Sequence, residues 1–318
     1  MRVSTQFAGL AQRPRAVAIG TFDGVHVGHQ RVIGVAVRVA GEQGLTSCVL
    51  TFSGHPDGVL DPDHAPRLLT PLPVKEQLIA QLGPDELIVV AFDDAFAALD
   101  GEAFCRDILV ANLAARIVVV GENFTYGAGG SAGVAELYAA GLTLGFETVV
   151  VPLVVEHGAP ISSTRIRTLL QHGRLEEVRE ILGRPPAADG LVATGIKRGR
   201  TLGVPTANLE VEVGTIFPGR GVYAGRAQVH GHWYRTAVNI GHNPTFQSRD
   251  AETAHVTIEA HLLDFAGDIY GQRIHIDFLH KIRDERRFTG VAELMAQMQE
   301  DIAVTATLPD PAYEAVGL

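Results

Sequence analysis

Five short, continuously apolar runs stand out in the first half of the chain: "AVAIG" (16–20), "CVLTF" (48–52), "ELIVVAF" (86–92), "RIVVVG" (116–121) and "TVVVP" (148–152). Runs this short and this apolar predict parallel strands covered on both faces. Helical patterns separate them over 29–42, 74–82, 101–114 and 132–144. Alternating β and α units predict a doubly wound, Rossmann-like α/β domain. Ligands of such a sheet bind beyond the carboxyl ends of its strands. A helical pair over 163–171 and 174–182 closes this half, and "GRPPAADG" (183–190) has the composition of a linker. After it the pattern changes to strict alternation in "GVYAGRAQVH", "WYRTAVNIG", "HVTIEAHLLDF" and "RIHIDFLHKI", broken by Gly, Asn and Asp turns. That predicts a small antiparallel β-barrel. A last amphipathic helix is predicted over 291–305, giving domains at 1–183 and 184–318.

Composition narrows the classes. The 318 residues suit two domains. The net charge is −10, with 26 basic and 36 acidic residues. Residues 1–183 carry 13 basic and 20 acidic side chains, and the remainder 13 and 16, so neither half is basic and a nucleic-acid partner is not expected. No apolar run reaches the roughly 18 residues of a membrane span, and "MRVSTQFAGLAQRPRA" lacks a signal-peptide core. Cys48 and Cys105 lie far apart in apolar settings, which excludes a disulfide scaffold and a thiolate zinc cluster. A cytoplasmic protein acting on small molecules is expected, with its oligomeric state open.

A first constellation follows the first apolar run, in "AVAIGTFDGVHVGHQRVI" (16–33). His26 and His29 flank Gly28 where a helix begins. A helix start attracts phosphate through its free N–H groups and dipole, and two imidazoles there can donate to a phosphate whose charge grows in the transition state. Gly28 leaves room for a nucleotide at the backbone. Asp23 can hold Mg²⁺ or position a substrate. Metal ligation by the histidine pair is the weaker reading, since no third ligand is near in sequence. In "ISSTRIR" (161–167), Ser162, Ser163 and Thr164 can cap a helix while Arg165 and Arg167 oppose its dipole, an arrangement that makes sense around a bound anion. The glycine-rich loop "GENFTYGAGGSAG" (121–133) offers Asn123 as a polar contact, and Phe124 and Tyr126 as packing for a flat ring.

A second constellation is "ATGIKRGRTLGVPTANLE" (193–210). Gly195, Gly199 and Gly203 alternate with Lys197, Arg198 and Arg200, so backbone N–H groups and positive charge come together without a Walker A motif. Thr206 and Asn208 supply the hard oxygen atoms that suit Mg²⁺. In the alternating strand "IEAHLLDF" (258–265), Glu259 is either a solvated carboxylate or a general base.

Together these residues resemble the bacterial bifunctional riboflavin kinase/FMN adenylyltransferases, or FAD synthetases, from about residue 14 to about 304. The N-terminal markers are "GTFDGVHVGH", "GENFTYG" and "ISSTRIR"; the C-terminal ones are "GRTLGVPTAN", "GVYAG", "NIGHNPTF", "EAHLLDF" and "DIYGQ". The resemblance implies a barrel that phosphorylates riboflavin with ATP to give FMN, and an N-terminal domain that adenylylates FMN with a second ATP, releasing FAD and pyrophosphate. It implies Glu259 as base for the ribityl hydroxyl. Thr206 and Asn208 hold Mg²⁺–ATP, and the loop with Gly195, Lys197, Arg200 and Gly203 covers the phosphates. In the other domain it implies His26 and His29 on the ATP phosphates. Ser163, Thr164, Arg165 and Arg167 grip the pyrophosphate, and Gly20, Phe22, Asp23, Gly28 and Asn123 contact nucleotide or flavin. Such chemistry is mostly positioning and charge stabilisation, so no nucleophilic Ser or Cys is needed.

Two departures are visible. The family's Asp-Pro-His-Pro is here "FSGHP" (52–56), with Ser53 and Gly54 in place of Asp-Pro, and the Phe of the kinase segment is Val204. The first leaves open an alternative: a riboflavin kinase whose N-terminal half binds nucleotide or flavin without catalysis. The second is a change of size within an apolar position.

Overall fold

The computed structural model describes residues 1–193, 204–242 and 256–309. The chain forms two compact units, Met1–Ser163 and Thr164–Val316.

The first unit is built on six parallel strands: β1 (Arg2–Ser4), β2 (Arg15–Ile19), β3 (Thr46–Phe52), β4 (Glu86–Val90), β5 (Ala115–Gly121) and β6 (Glu147–Val151), in the order β1-β4-β3-β2-β5-β6. The five predicted strands are present. β1, three largely exposed residues beside β4, extends the sheet by one. Both faces are buried, because successive residues feed opposite cores. Ala16, Ala18, Val49, Leu87 and Val119 face one, and Val17, Ile19, Leu50, Ile88 and Val120 the other. Helix α1 (Val27–Gln43) seats Val32, Ile33, Ala36, Val39 and Ala40 on the first core and stops at Gly44, whose φ of 65° lets its N–H reach the Ala40 carbonyl. Helix α2 (Leu72–Gln81) joins it on that side through Ile79. The other side takes a π-helix (Phe104–Asn112) and α3 (Val134–Leu144), through residues such as Leu109 and Leu137. The expected helix over 101–114 is therefore present but wound mainly as π.

The chain runs β2→β3→β4 to one side and then returns to place β5 on the other flank of β2. This reversal opens a crevice at the carboxyl ends of β2 and β5, the place where ligands of doubly wound sheets bind. A small hairpin, β7 (Val155–Glu156) and β8 (Ala159–Pro160), follows β6.

The predicted helical pair is present as α4 (Ser163–Gln171) and α5 (Leu175–Leu182), but from Thr164 on it groups with the second unit instead of closing the first. The closed barrel of the second unit has the order β10-β13-β12-β11-β14-β9, all antiparallel. The strands are β9 (Ala187–Ala193), β10 (Ala207–Val211), β11 (Gly221–Val229), β12 (His232–His242), β13 (Val256–Leu262) and β14 (Arg273–Arg283). The segment 183–190, read as linker, is only half linker: Gly183 ends α5, and from Ala187 the chain is already the strand that joins β14 to β10. Helix α6 (Val291–Thr307) is fastened to the barrel by Arg283, whose guanidinium holds the buried Asp301 carboxylate at 2.9 Å (Nε to Oδ1) and 2.7 Å (Nη2 to Oδ2).

Candidate functional site

In the first unit, the turn from Gly20 to His26 leaves β2 at the crevice. Its backbone is strained. φ is positive at Phe22 (49°), Gly24 (86°) and Val25 (39°), and for bulky or β-branched residues that is an outlier. Surrounding groups hold the turn. The Asp23 carboxylate accepts from the backbone N–H of Leu69 and Thr70, each at 3.0 Å, and the Thr70 hydroxyl accepts from Gly24 N–H at 3.0 Å. Asp23 is thus a brace of the turn, with 2% of its surface exposed. Phe22 is buried beneath the site, its ring edge-on to His29 at 5.3 Å. Ser163 closes the turn from the far end of the unit, donating from Oγ to the Asp23 carbonyl at 2.9 Å.

His26 is the N-cap of α1. Its Nδ1 accepts from His29 N–H at 3.2 Å, so the proton of the neutral ring sits on Nε2. The two imidazoles stack, with centroids 3.5 Å apart. Gly28 makes this possible: a Cβ there would come within 3.1 Å of His26 Cε1. The space the sequence suggests for a nucleotide at Gly28 is occupied, at that atom, by the imidazole of His26. Stacked rings at a helix start form a compact donor surface for an anion.

Just past the end of β5, Asn123 stands exposed in the loop; its Oδ1 lies 3.2 Å from where a Gly121 Cβ would be. Phe124 stacks on Tyr126 at 5.6 Å, but Tyr126 itself belongs to the core, against Phe104 and Cys105. "FSGHP" leaves the end of β3, and His55 Nδ1 accepts from Asp57 N–H at 3.2 Å. Thr164, Arg165 and Arg167 follow Ser163 on α4, with Arg165 in its first turn.

The sequence reading missed Lys75 on α2. Only 4% exposed, its ammonium donates to the Phe52 carbonyl at 2.8 Å and the Thr21 carbonyl at 3.2 Å, tying the ends of β3 and β2 together. Burial pulls its pKa down to about 8, with Asp23 and Glu76 acting in the opposite direction. A lysine four residues before the buried Ile79, on the apolar face of a helix, was the available signal.

In the second unit, register assembles the site. Glu259 on β13 pairs directly with Asn208 on β10 and Asn239 on β12. Paired residues point to the same face, so an amide flanks the carboxylate on each side. Burial raises the Glu259 pKa above the ordinary glutamate range. Thr206 lies two residues before Asn208, with Ala207 and Leu209 buried between and beyond, so the Thr and Asn oxygens share the Glu259 face. Val204 is buried. His261 Nδ1 lies 2.8 Å from the Pro205 carbonyl, fixing β13 to the start of this segment. Asn239 was not singled out from the sequence; its signal is a polar amide within an otherwise core-forming strand. Gly195, Lys197, Arg200 and Gly203 lie outside the described residues.

The comparisons with known proteins agree with this division. The FAD synthetase family model matches residues 10–165, and the riboflavin kinase family model matches residues 182–308. A Bacillus subtilis protein named bifunctional riboflavin kinase/FMN adenylyltransferase is 42% identical over 291 residues, covering 91% of each chain. The Escherichia coli K12 protein of the same name is 35% identical over 305 residues, covering 95% of this chain and 96% of its own. A crystal structure described as a macrolide-efflux protein from Streptococcus pneumoniae is similar at a TM-score of 0.86 and 30% identity, covering 96% of this chain and 99% of that one.

Proposed function

The chain belongs to the bifunctional riboflavin kinase/FMN adenylyltransferase family, and on that premise we propose how its residues divide the two reactions. It phosphorylates riboflavin with ATP to FMN, and it adenylylates FMN with ATP to FAD and pyrophosphate. The observation that carries this is that one family model for each activity is matched in order along a single chain. Description as an efflux protein belongs to the pneumococcal structure; no helix among the described residues here is long and apolar enough to cross a membrane.

The kinase reaction is assigned to domain 184–318. The Glu259 carboxylate takes the proton of the ribityl hydroxyl as its oxygen attacks the γ-phosphorus of ATP, and ADP leaves. Burial makes this carboxylate a stronger base than an exposed one. Thr206 and Asn208 present hydroxyl and amide oxygens on the same face, a donor set that fits Mg²⁺. Bound there, Mg²⁺ would neutralise phosphate charge. The segment with Gly195, Lys197, Arg200 and Gly203 is assigned to cover the phosphates.

The adenylyl transfer is assigned to domain 1–183. A phosphate oxygen of FMN attacks the α-phosphorus of ATP, and the bond to the β-phosphate oxygen breaks. His26 and His29 donate to the phosphates as charge develops, and Arg165 with Ser163, Thr164 and Arg167 receives the departing pyrophosphate. Gly20, Phe22, Asp23, Gly28 and Asn123 shape the nucleotide and flavin side, with Phe22 and Asp23 acting through the turn they hold. A cytoplasmic location is supported by the two free, buried cysteines.

Product analysis tests the whole reading. Purified protein with riboflavin, ATP and Mg²⁺ should show FMN rising and then giving way to FAD. FMN that accumulates without FAD would leave only the kinase, as the Ser53-Gly54 exchange first suggested.

A further inference from the structure

Resting on the assignment of His26 and His29 to the ATP phosphates, we infer that Lys75 is a positioning residue for adenylyl transfer, holding the turn that carries those histidines against the end of β3. It acts on the backbone that leads to them. Its ammonium joins the Thr21 and Phe52 carbonyls, and the Thr51 hydroxyl, itself donating to Thr21 O at 3.0 Å, lies 3.5 Å away. Thr21 directly precedes Phe22, the first residue with positive φ, and Phe52 ends β3 and opens "FSGHP".

Three further bonds come from the same side, from Leu69 and Thr70 to Asp23 and from Gly24 to Thr70. The segment 69–75 thus fastens the turn at residues 21, 23 and 24. A turn with positive φ at Phe22 and Val25 does not hold itself; such geometry persists only where surroundings over-determine it. A buried lysine is a costly way to fill space, since an apolar side chain of similar length would avoid the desolvation. What the ammonium adds is charged donors to two backbone carbonyls, Thr21 just past β2 and Phe52 at the end of β3. The charged groups facing it are Asp23 on the turn and Glu76 on its own helix, and both favour the ammonium form.

The test measures FAD formation from FMN and ATP across pH 6–9.5, with riboflavin phosphorylation followed in the same preparation. Lys75→Met should lower kcat for FAD formation by roughly 10²-fold, the scale of a misplaced reacting group, and leave phosphorylation within about twofold. Lys75→Arg keeps a charge at every pH. It should retain most of the kcat at pH 7 and lack the decline expected of the wild type as pH rises through about 8. Wild-type kcat in Lys75→Met, or an unchanged alkaline decline in Lys75→Arg, overturns the inference. If neither variant gives a cooperative unfolding transition, Thr70→Val decides. It removes the hydroxyl that holds Gly24 and should lower kcat about tenfold with KM within about twofold; an unchanged kcat overturns the inference. His29→Ala, run alongside, separates the layers. If it leaves FAD formation intact, the histidine assignment falls and this inference with it; if it alone is impaired, only Lys75 is dismissed.

Discussion

Glutamine at position 259 isolates the base of the kinase reaction. Gln matches Glu in volume and keeps a carbonyl oxygen, so the pairing of β13 with Asn208 and Asn239 should survive. What is lost is the capacity to accept a proton, worth roughly 10²–10⁴-fold for a positioned base. Burial raises the Glu259 pKa, and a stronger base contributes more to proton transfer, which places the expected loss in the upper half, roughly 10³–10⁴-fold in kcat. The same shift fixes the pH dependence. The base works only when deprotonated, so the acid limb of kcat/KM for riboflavin should lie above the ordinary glutamate value of about 4.3 and be absent from the residual activity of the variant. Because the folded state pays to keep this carboxylate charged, Glu259→Gln should unfold at the same temperature or higher near pH 7. The assay resolves riboflavin, FMN and FAD by chromatography, once from riboflavin and once from added FMN. FAD formation from FMN should be unchanged. Phosphorylation within tenfold of wild type would remove Glu259 from the role.

His29→Ala should slow FAD formation from FMN by roughly 10²–10³-fold, as for one lost transition-state donor, with phosphorylation untouched; parallel loss of both would contradict separate sites. Asp301→Ala leaves Arg283 without its two-point partner and should destabilise the second unit by about 3 kcal/mol, the lower end for a broken buried pair because Arg283 is partly exposed, read by urea unfolding. His275 carries a pH signature in stability. Burial pulls its pKa down, but Asp189 at 3.1 Å and Asp277 at 3.0 Å outweigh it and raise it to about 9. That stabilisation should be complete below about pH 6.5 and lost as pH rises through 9, and His275→Gln should flatten the fall in Tm over this window.

The sequence reads most clearly where burial is two-sided or alternation is long. The five central strands of the sheet are apolar throughout because helices cover both faces. β1 escaped because three residues are too few to show a period, and its partners lie more than eighty positions away. β9 escaped for a different reason. Pro185, Pro186 and Gly190 carry the composition of a linker, yet closing the barrel requires a strand between β14 and β10, and that tertiary demand overrides local composition. The motif residues His26, His29, Asn208 and Glu259 were legible because their chemistry is unusual for their positions. Lys75 and Asp23 show the limit. Their role lies in which carbonyl or N–H they hold, and the partners are 23 to 54 residues distant.

The two units place reactive groups in different ways, and the difference sets where each is vulnerable. In the barrel, Asn208, Glu259 and Asn239 are aligned by strand register, shared among many ladder hydrogen bonds. A substitution away from that row first costs stability; its effect on phosphorylation follows only when the barrel opens. In the first unit, the histidines sit beyond a turn whose backbone at Phe22 and Val25 stores about 1–3 kcal/mol per residue, held by side-chain bonds that involve Asp23, Thr70, Lys75 and Ser163. Strain of that size can relax when a single brace is removed, shifting the histidines without unfolding the sheet. Substitutions at Thr70 or Lys75 should therefore lower FAD formation more than they lower Tm. The exchange to Ser53-Gly54 fits the same logic. It begins one residue beyond Phe52, whose carbonyl Lys75 holds, so the altered segment still departs from a fixed point on β3.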